Sequence, residues 1–202
     1  MIQPTRREEN ILLRQGYKNI AGLDEAGRGA WAGPIVAAAV ILPHEFSLPG
    51  LRDSKLLSSG QRAKLFTQIV KQAVGWSVGV ISQQVIDKVG ISKSNIEAFL
   101  QAIKQLPVSP DYLLVDAIKF NHTTPRKFIV RGDQKSVSIA AASIVAKVTR
   151  DNLLCQEHVC HPEYHFHKHK GYGTKIHQSM LAKYGVSDYH RKSFSPVKKL
   201  IA

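Results

Sequence analysis

The sequence has few cysteines, no long apolar run and no apolar leader. Two cysteines among 202 residues argue against a scaffold built on disulfides and favour a reduced protein. The longest apolar run, residues 35–42, is far shorter than the roughly 18 residues that a membrane helix requires. Residues 1–7 lack the apolar stretch of a secretory signal. We therefore expect a cytoplasmic protein that does not span a membrane.

Acidic residues are also scarce. The chain has 28 Lys and Arg residues against 15 Asp and Glu residues, which gives a formal net charge of +13. This excess favours a polyanionic partner such as a nucleic acid, because cationic side chains neutralise phosphates. A well-solvated basic surface without such a partner is the alternative. Apolar residues make up 44% of the chain, which suits one globular domain, with or without a small appendage.

Apolar runs and their periodicity predict five strands, with helices between and after them. The predicted strands cover residues 20–24, 31–42, 76–80, 112–115 and 128–130. Long helices are predicted to begin near residues 58, 92 and 136, and shorter helical pieces cover residues 175–183 and 195–200.

The connections between these elements indicate the sheet topology. Short connections favour antiparallel pairing of the first three strands, and helical crossovers favour parallel pairing of the later ones. The prediction is an α/β fold, with a mixed five-stranded sheet flanked by helices and a small helical C-terminal appendage. We place the main domain at residues 1–160 and the helical C-terminal segment at residues 161–202.

Four of the scarce acidic residues stand where predicted strands end. Asp24 and Glu25 end the first strand, Asp116 ends the fourth, and Asp133 follows the fifth. Strand ends can converge at one edge of an open α/β sheet, which is where such proteins bind ligands. The alternative is that these acids are helix caps and surface ion pairs.

Converging carboxylates require a positive counter-charge, because like charges raise one another's pKa. Oxygen-only ligands suit Mg²⁺ or Mn²⁺, and two such ions about 3.5–4 Å apart carry out phosphoryl chemistry. An acidic metal site within a basic protein is the charge pattern of a nuclease. A non-catalytic nucleic-acid-binding module is the rival interpretation, but it would have no need of these acids.

Several short motifs resemble bacterial type 2 ribonuclease H, the ribonuclease HII family, in the family's order. They span nearly the whole chain, from about residue 20 to residue 197. The motifs are GLDEAGRG at residues 22–29, DSK at 53–55, LVD at 114–116, GD at 132–133, AAASIVAKVTRD at 140–151, HKGYGT at 169–174 and RKSFSPV at 191–197.

The resemblance implies a ribonuclease H-like fold and an endonuclease that uses two Mg²⁺ or Mn²⁺ ions. It implies hydrolysis of RNA in RNA–DNA hybrids, and nicking on the 5′ side of single ribonucleotides embedded in duplex DNA. The expected products carry 3′-hydroxyl and 5′-phosphate ends. The four carboxylates match the family's catalytic metal ligands, with Asp24 as the candidate for bridging both ions. We expect a monomer.

The resemblance also implies the residues that contact the substrate. Gly27, Arg28 and Gly29 match the motif that reads the ribonucleotide's 2′-hydroxyl, the group that distinguishes RNA from DNA. Tyr172 matches the tyrosine that stacks on the sugar at the RNA–DNA junction. The candidates for phosphate contacts are Lys55, Lys147 and Lys170.

Two positions depart from the family pattern. Ala117 follows the third aspartate where glycine is common, which would alter the turn but not the ligand. Gln134 follows Asp133 where serine is usual. Type 3 ribonuclease H shares the fold but carries a substrate-binding domain before it. About 19 residues precede the first predicted strand here, and residues 27–29 have the type 2 motif.

A histidine-rich stretch lies in the middle of the C-terminal half. It contains His158, His161, His165, His167 and His169, with Cys155 and Cys160 nearby. This composition raises the possibility of a zinc site, but the cysteine spacing is not that of a structural zinc site. A basic, solvated loop is the prediction that we prefer.

Overall fold

A computed structural model describes residues 3–51 and 54–201, except for the side chain of Lys55. The strands are β1 (Ile20–Ala26), β2 (Ile35–Ile41), β3 (Gly75–Ile81), β4 (Tyr112–Asp116) and β5 (Arg126–Ile129). The helices are α1 (Arg7–Arg14), α2 (Ser59–Gln72), α3 (Gln83–Val89), α4 (Ile91–Lys104), α5 (Val137–Cys160), α6 (Phe166–His169), α7 (Lys175–Tyr184) and α8 (Ser195–Lys198). Turns of 3₁₀ helix lie at Ser54–Leu56, Gly132–Gln134 and Pro162–Tyr164.

The strands form one open mixed sheet in the order β3-β2-β1-β4-β5. Strands β1, β2 and β3 pair antiparallel, and β4 and β5 run parallel to β1. The predicted five-stranded mixed sheet is therefore confirmed. Because the central strand β1 pairs with β4 in parallel, the carboxyl ends of these two strands lie side by side.

Both faces of the sheet are covered by helices. Every residue of β2 is buried, which matches its unbroken apolar sequence, whereas the edge strand β3 alternates between buried and exposed residues. Helices α2 and α5 pack on one face, and α3 and α4 pack on the other. Within the described residues, no helix is long and apolar enough to cross a membrane.

Helix α5 lies very close to the central strand because small residues line the contact. A Cβ atom placed on Gly22 would come 2.1 Å from the carbonyl carbon of Ser138. The alanines at positions 140–142 are completely buried against the sheet. This close packing fixes where the later turns of α5, which carry Ser143 and Lys147, stand relative to the end of β1.

Several element boundaries differ from the prediction. Strand β2 begins at Ile35 rather than at residue 31, because Trp31 to Pro34 form a loop whose Trp31 N–H donates to the Gly171 carbonyl at 2.8 Å. Helices α1 and α3 were not predicted, and the helix predicted to begin near residue 136 continues to Cys160.

The C-terminal segment packs against the end of α5 through a small core of its own. Tyr164, Phe166 and Leu181 are buried there with Leu154 of α5 and Ala32 of the loop before β2. Helix α5 ends at Cys160, where the sequence placed the boundary between the two parts. The division of the chain into a main domain, residues 1–160, and a C-terminal segment, residues 161–202, stays a prediction.

Candidate active site

Three of the four predicted carboxylates line one cleft at the carboxyl end of β1 and β4. Asp24 and Glu25 lie near the end of β1, and Asp116 is the last residue of the parallel neighbour β4. The cleft has a volume of about 480 Å³. Its lining comprises Asp24, Glu25, Ala26, Gly27, Arg28, Gly29, Ser54, Asp116, Ser143, Lys147 and Tyr172. The topology thus gathers residues from five separate segments of the chain.

Asp24 is the most buried carboxylate of the cleft, with 7% of its surface exposed. Its Oδ1 accepts a hydrogen bond from the Glu25 N–H at 2.8 Å. Burial, followed by the negative charges of Glu25 and Asp116, raises the pKa of Asp24 well above its usual value, although a hydrogen bond from Ser143 opposes this. A cation beside Asp24 would therefore favour its charged form.

Asp116 is held by the backbone that follows β5. The Gly132 N–H donates to Asp116 Oδ1, and a Cβ atom on Gly132 would come 2.6 Å from Ile139 Cδ1. The turn after Asp116 places Ala117 at a φ of 48°. This value lies in the left-handed region that favours glycine, which is the residue common in the resembled family at this position.

Asp133 does not line the cleft. It lies in the 3₁₀ turn Gly132–Gln134 with 5% of its surface exposed, directly after the glycine that binds Asp116. The turn follows β5, as the sequence predicted. The role of Asp133 as a metal ligand stays a prediction.

The loop of Gly27, Arg28 and Gly29 forms another wall of the cleft. Gly27 has a φ of 92°, and a Cβ atom there would come 1.9 Å from Arg150 Nε. Only glycine fits this position, because both the backbone conformation and the neighbouring side chain exclude a larger residue.

Two completely buried arginines hold the backbone of this loop and of the segments next to it. Arg150 donates to the carbonyls of Pro34 at 2.9 Å, Lys170 at 2.9 Å and Ala32 at 3.0 Å. Arg191 donates to the Gly33 carbonyl at 2.9 Å and to the Arg28 carbonyl at 3.0 Å.

Burial lowers the pKa of Arg150, and it lowers that of Arg191 to about 9. Arg191 therefore stays cationic near neutral pH. Sequence reasoning gave these arginines no role. Each lies within a quoted motif, but an arginine that will be buried has the same sequence signature as an exposed one.

Tyr172 faces the same cleft across from the carboxylates. Its ring centroid lies 5.3 Å from Arg150 Cζ and 5.5 Å from Lys147 Nζ, which places two cationic groups near the ring. The residue is half-buried.

The three lysines predicted to contact phosphates do not all line the cleft. Lys147 lines the cleft, and its Nζ pairs with Asp151 at 2.7 Å. Lys170 does not line it, because its Nζ donates to the His167 carbonyl and to Cys155 Sγ at 3.0 Å. The side chain of Lys55 lies outside the described residues.

Comparison with known proteins settles the family. The family model described as ribonuclease HII matches residues 21–197. The chain belongs to the ribonuclease HII family. Ribonuclease HII of Bacillus cytotoxicus is 49% identical over 193 residues, an alignment that covers 96% of this chain and 74% of that protein.

Solved structures support the same fold. Ribonuclease H2 from Pyrococcus horikoshii OT3 matches with a TM-score of 0.77 and 25% identity, over 90% of this chain and 96% of that one. Bst-RNase HIII in complex with Mn²⁺ matches with a TM-score of 0.67 and 17% identity, over 92% of this chain and 70% of that one. The latter likeness concerns the fold alone.

Membership of the ribonuclease HII family makes this protein a type 2 ribonuclease H, a nuclease that acts on RNA–DNA substrates. The family depends on divalent metal ions, and the carboxylate oxygens at the cleft are the donors that such ions prefer. The predicted ribonuclease H-like fold and enzyme class are confirmed.

The histidine-rich stretch of this ribonuclease HII is not a solvated loop, and that prediction was wrong. Residues 158–169 comprise the end of α5, a 3₁₀ turn and α6. Tyr164, Phe166 and His169 are buried because they pack within the small C-terminal core.

Three buried histidines support the backbone around Tyr172. Nδ1 of His177 contacts the Tyr172 carbonyl at 3.0 Å, so this nitrogen carries the proton. Nδ1 of His190 accepts from the Ser187 N–H, so its Nε2 donates to His177 Nε2 at 3.1 Å. Nδ1 of His169 accepts from the Gly171 N–H. Burial lowers the pKa of His177 to about 3 and that of His190 to about 4, so both rings are neutral near pH 7.

Proposed function

We propose that this ribonuclease HII cleaves RNA in hybrids and nicks duplex DNA on the 5′ side of single embedded ribonucleotides. The observation that carries this proposal is that Asp24, Glu25 and Asp116 share a cleft with the loop of Gly27 to Gly29. Metal-binding chemistry and sugar recognition then act on neighbouring atoms of one nucleotide.

The donor set fits divalent cations. Asp24, Glu25 and Asp116, with Asp133 beside them, would hold two Mg²⁺ or Mn²⁺ ions. The raised pKa of Asp24 supports this assignment, because a nearby cation would offset the burial and the repulsion that cause it. Two ions of this kind, when bound, supply the charge that activates water and stabilises the leaving oxygen.

The chain's own groups position the substrate. Arg191 fixes the Arg28 carbonyl, and Arg150 fixes the carbonyls on either side of Gly33. The loop therefore presents backbone groups in a set position to a ribose 2′-hydroxyl, with no side chain at Gly27 or Gly29 to block it. The Asp24 carboxylate is oriented by the Glu25 N–H and by Ser143.

Tyr172 would stack on the sugar at the RNA–DNA junction. Its half-buried ring stands near Lys147 and Arg150, so positive charge lies where the phosphate backbone would pass. Stacking of this kind is typically worth about 1–3 kcal/mol. We expect the protein to act as a monomer in the cytoplasm. Lys147 would contact phosphates in the cleft, Lys170 would do so by exchanging its contacts with His167 and Cys155, and Lys55 stays a candidate from the sequence.

The test measures kcat/KM on a duplex with one ribonucleotide, on a continuous hybrid and on all-DNA duplex, with and without Mg²⁺. Tyr172→Ala should reduce cleavage of the single-ribonucleotide duplex about 10-fold or more, because the stacking is removed, and should affect the continuous hybrid less. Tyr172→Phe should lose less than Tyr172→Ala, because it keeps the ring.

Tyr184→Ala is the matched control, since Tyr184 is an exposed tyrosine outside the cleft. It should retain the activity of the unmodified protein. Equal, small losses of activity for all three variants would contradict the proposed stacking of Tyr172 at the RNA–DNA junction. Tight duplex binding without any Mg²⁺-dependent cut would favour the rival binding module.

A further inference from the structure

Three histidines come together at the junction between α5 and α6, away from the carboxylates. His158 lies in the last turn of α5, His165 precedes α6, and His167 lies within α6. Each offers one ring nitrogen such that all three nitrogens lie within 4.8 Å of one another. None of the three lines the active-site cleft.

Two of these rings have buried nitrogens without a partner. Nδ1 of His158 and Nδ1 of His167 are buried and form no hydrogen bond with the described residues. Their ring centroids are 3.8 Å apart at an angle of 33°. A buried polar atom without a partner costs free energy, so two such atoms on adjacent rings point to a ligand that would satisfy both.

We propose that His158, His165 and His167 form a binding site for one Zn²⁺ ion, separate from the catalytic metals. Three imidazoles with a fourth position open to solvent are an established zinc ligand set. Nitrogens bound to one tetrahedral zinc ion at about 2.0–2.1 Å lie about 3.4 Å apart, so zinc binding would draw the three rings together and turn their nitrogens toward the ion. All three residues are partly exposed, which leaves an entry path and room for a water ligand.

The chemistry of the donors separates this site from the catalytic one. Imidazole nitrogen suits zinc, copper and nickel, whereas carboxylate oxygen suits magnesium and manganese. Mg²⁺ in excess should therefore occupy the carboxylates without displacing zinc from the histidines. The nearby cations Lys168 and Lys170 oppose binding by charge repulsion, so the histidine site is expected to be weaker than a site without them.

The position of the site indicates what zinc would do. An ion there would join the last turn of α5 to α6, and α6 leads directly into Lys170, Gly171 and Tyr172. Lys170 Nζ already donates to the His167 carbonyl. Zinc would thus brace the segment that carries Tyr172, acting on stability and order rather than on the reacting atoms.

The test is calorimetric titration of the chelator-treated full chain with Zn²⁺, in millimolar Mg²⁺. The unmodified protein should bind one equivalent and unfold at a higher temperature when zinc is present. His167→Ala and His158→Gln should each weaken binding at least 10-fold. His165→Asn is a third variant that keeps a residue suited to the left-handed φ of 55° at this position.

His44→Ala is the control, because His44 is exposed and lies far from α5 in sequence and outside the cluster. It should bind zinc as the unmodified protein does. An Asp116→Asn protein should also bind zinc normally, which distinguishes this site from the carboxylates. Absence of a zinc equivalent, or equal binding by folded His167→Ala and His158→Gln, would overturn the proposal without affecting the proposed nuclease activity.

Discussion

The Gly132 N–H donates a hydrogen bond to Asp116 Oδ1 at 2.7 Å. This bond joins the end of β4 to the turn that carries Asp133, so the positions of the two acids depend on one another. A Cβ atom on Gly132 would press against the Ile139 side chain and come 3.3 Å from Asp116 Oδ1.

Asp116→Asn should preserve the fold but remove most divalent-dependent cleavage. The amide oxygen can still accept from Gly132, whereas a neutral amide is a poorer ligand for a hard cation. The measurement is nicking in Mg²⁺ and in Mn²⁺, alongside circular dichroism. Glu97→Gln, which changes an exposed carboxylate on α4, is the control and should cleave normally. Near-normal nicking by folded Asp116→Asn would contradict the proposed ligand set.

Ala117→Gly should stabilise the protein. Ala117 has a φ of 48°, which costs an L-residue roughly 1–2 kcal/mol, while the freer unfolded chain of a glycine costs about 0.4–1 kcal/mol. The expected net gain is about 0.5–1 kcal/mol in urea unfolding. Ala73→Gly is the control, because Ala73 has a φ of −61° and glycine there should only destabilise. A loss of stability at position 117 would show that its turn is not strained.

Stability should fall as the pH drops below about 6.5. His177 and His190 have folded-state pKa values of about 3 and 4, against 6.5 when unfolded, so the unfolded chain binds more protons in this range. Each histidine then costs about 1.4 kcal/mol per pH unit, until the pH reaches its folded pKa. Urea unfolding at pH 7, 6 and 5 measures this dependence. His190→Gln should flatten it and His44→Gln should not; identical slopes would contradict the neutral histidine network.

Duplex affinity should depend steeply on salt, and part of that dependence should come from exposed lysines of the C-terminal segment. Replacing Lys168, Lys175 and Lys183 with glutamine should reduce the slope of log K against log salt by about 0.9 for each phosphate that these lysines neutralise. Lys88, Lys93 and Lys104 on α3 and α4 provide a charge-matched control. If both triple variants change the slope equally, the basic surface acts only through net charge.

The sheet and its acids could be predicted because their signals are local. Apolar runs marked the strands, and connection length determined whether neighbouring strands pair antiparallel or parallel. The end of each strand then placed Asp24 and Asp116 at the same edge. Position 117 could be singled out from the resemblance alone, but its left-handed conformation required the structure.

The remaining features depend on contacts between residues that are distant in sequence. Helix α1 escaped prediction because its buried Glu9 looks like a surface residue; its carboxylate accepts from Ser136 Oγ and the Ser138 N–H. The loop before β2 reads as strand until its bonds to Gly171 and Tyr189 are known. Lys170 contacts Cys155 and the His167 carbonyl instead of the cleft, and these contacts likewise depend on where α6 packs.

Arg150 joins parts of the chain that are more than 100 residues apart. Its guanidinium joins Ala32 and Pro34, which follow the loop of residues 27–29, to Lys170, which precedes Tyr172. The loop of residues 27–29 and the segment that carries Tyr172 therefore cannot shift independently, and under the proposed function neither can open to admit a bulkier sugar without breaking the arginine's bonds. Selectivity for the sugar would then depend on the rigidity of the segments that Arg150 joins. Variants with relaxed sugar preference should accordingly arise more often from a loosened Arg150 than from exchanged residues at the cleft surface.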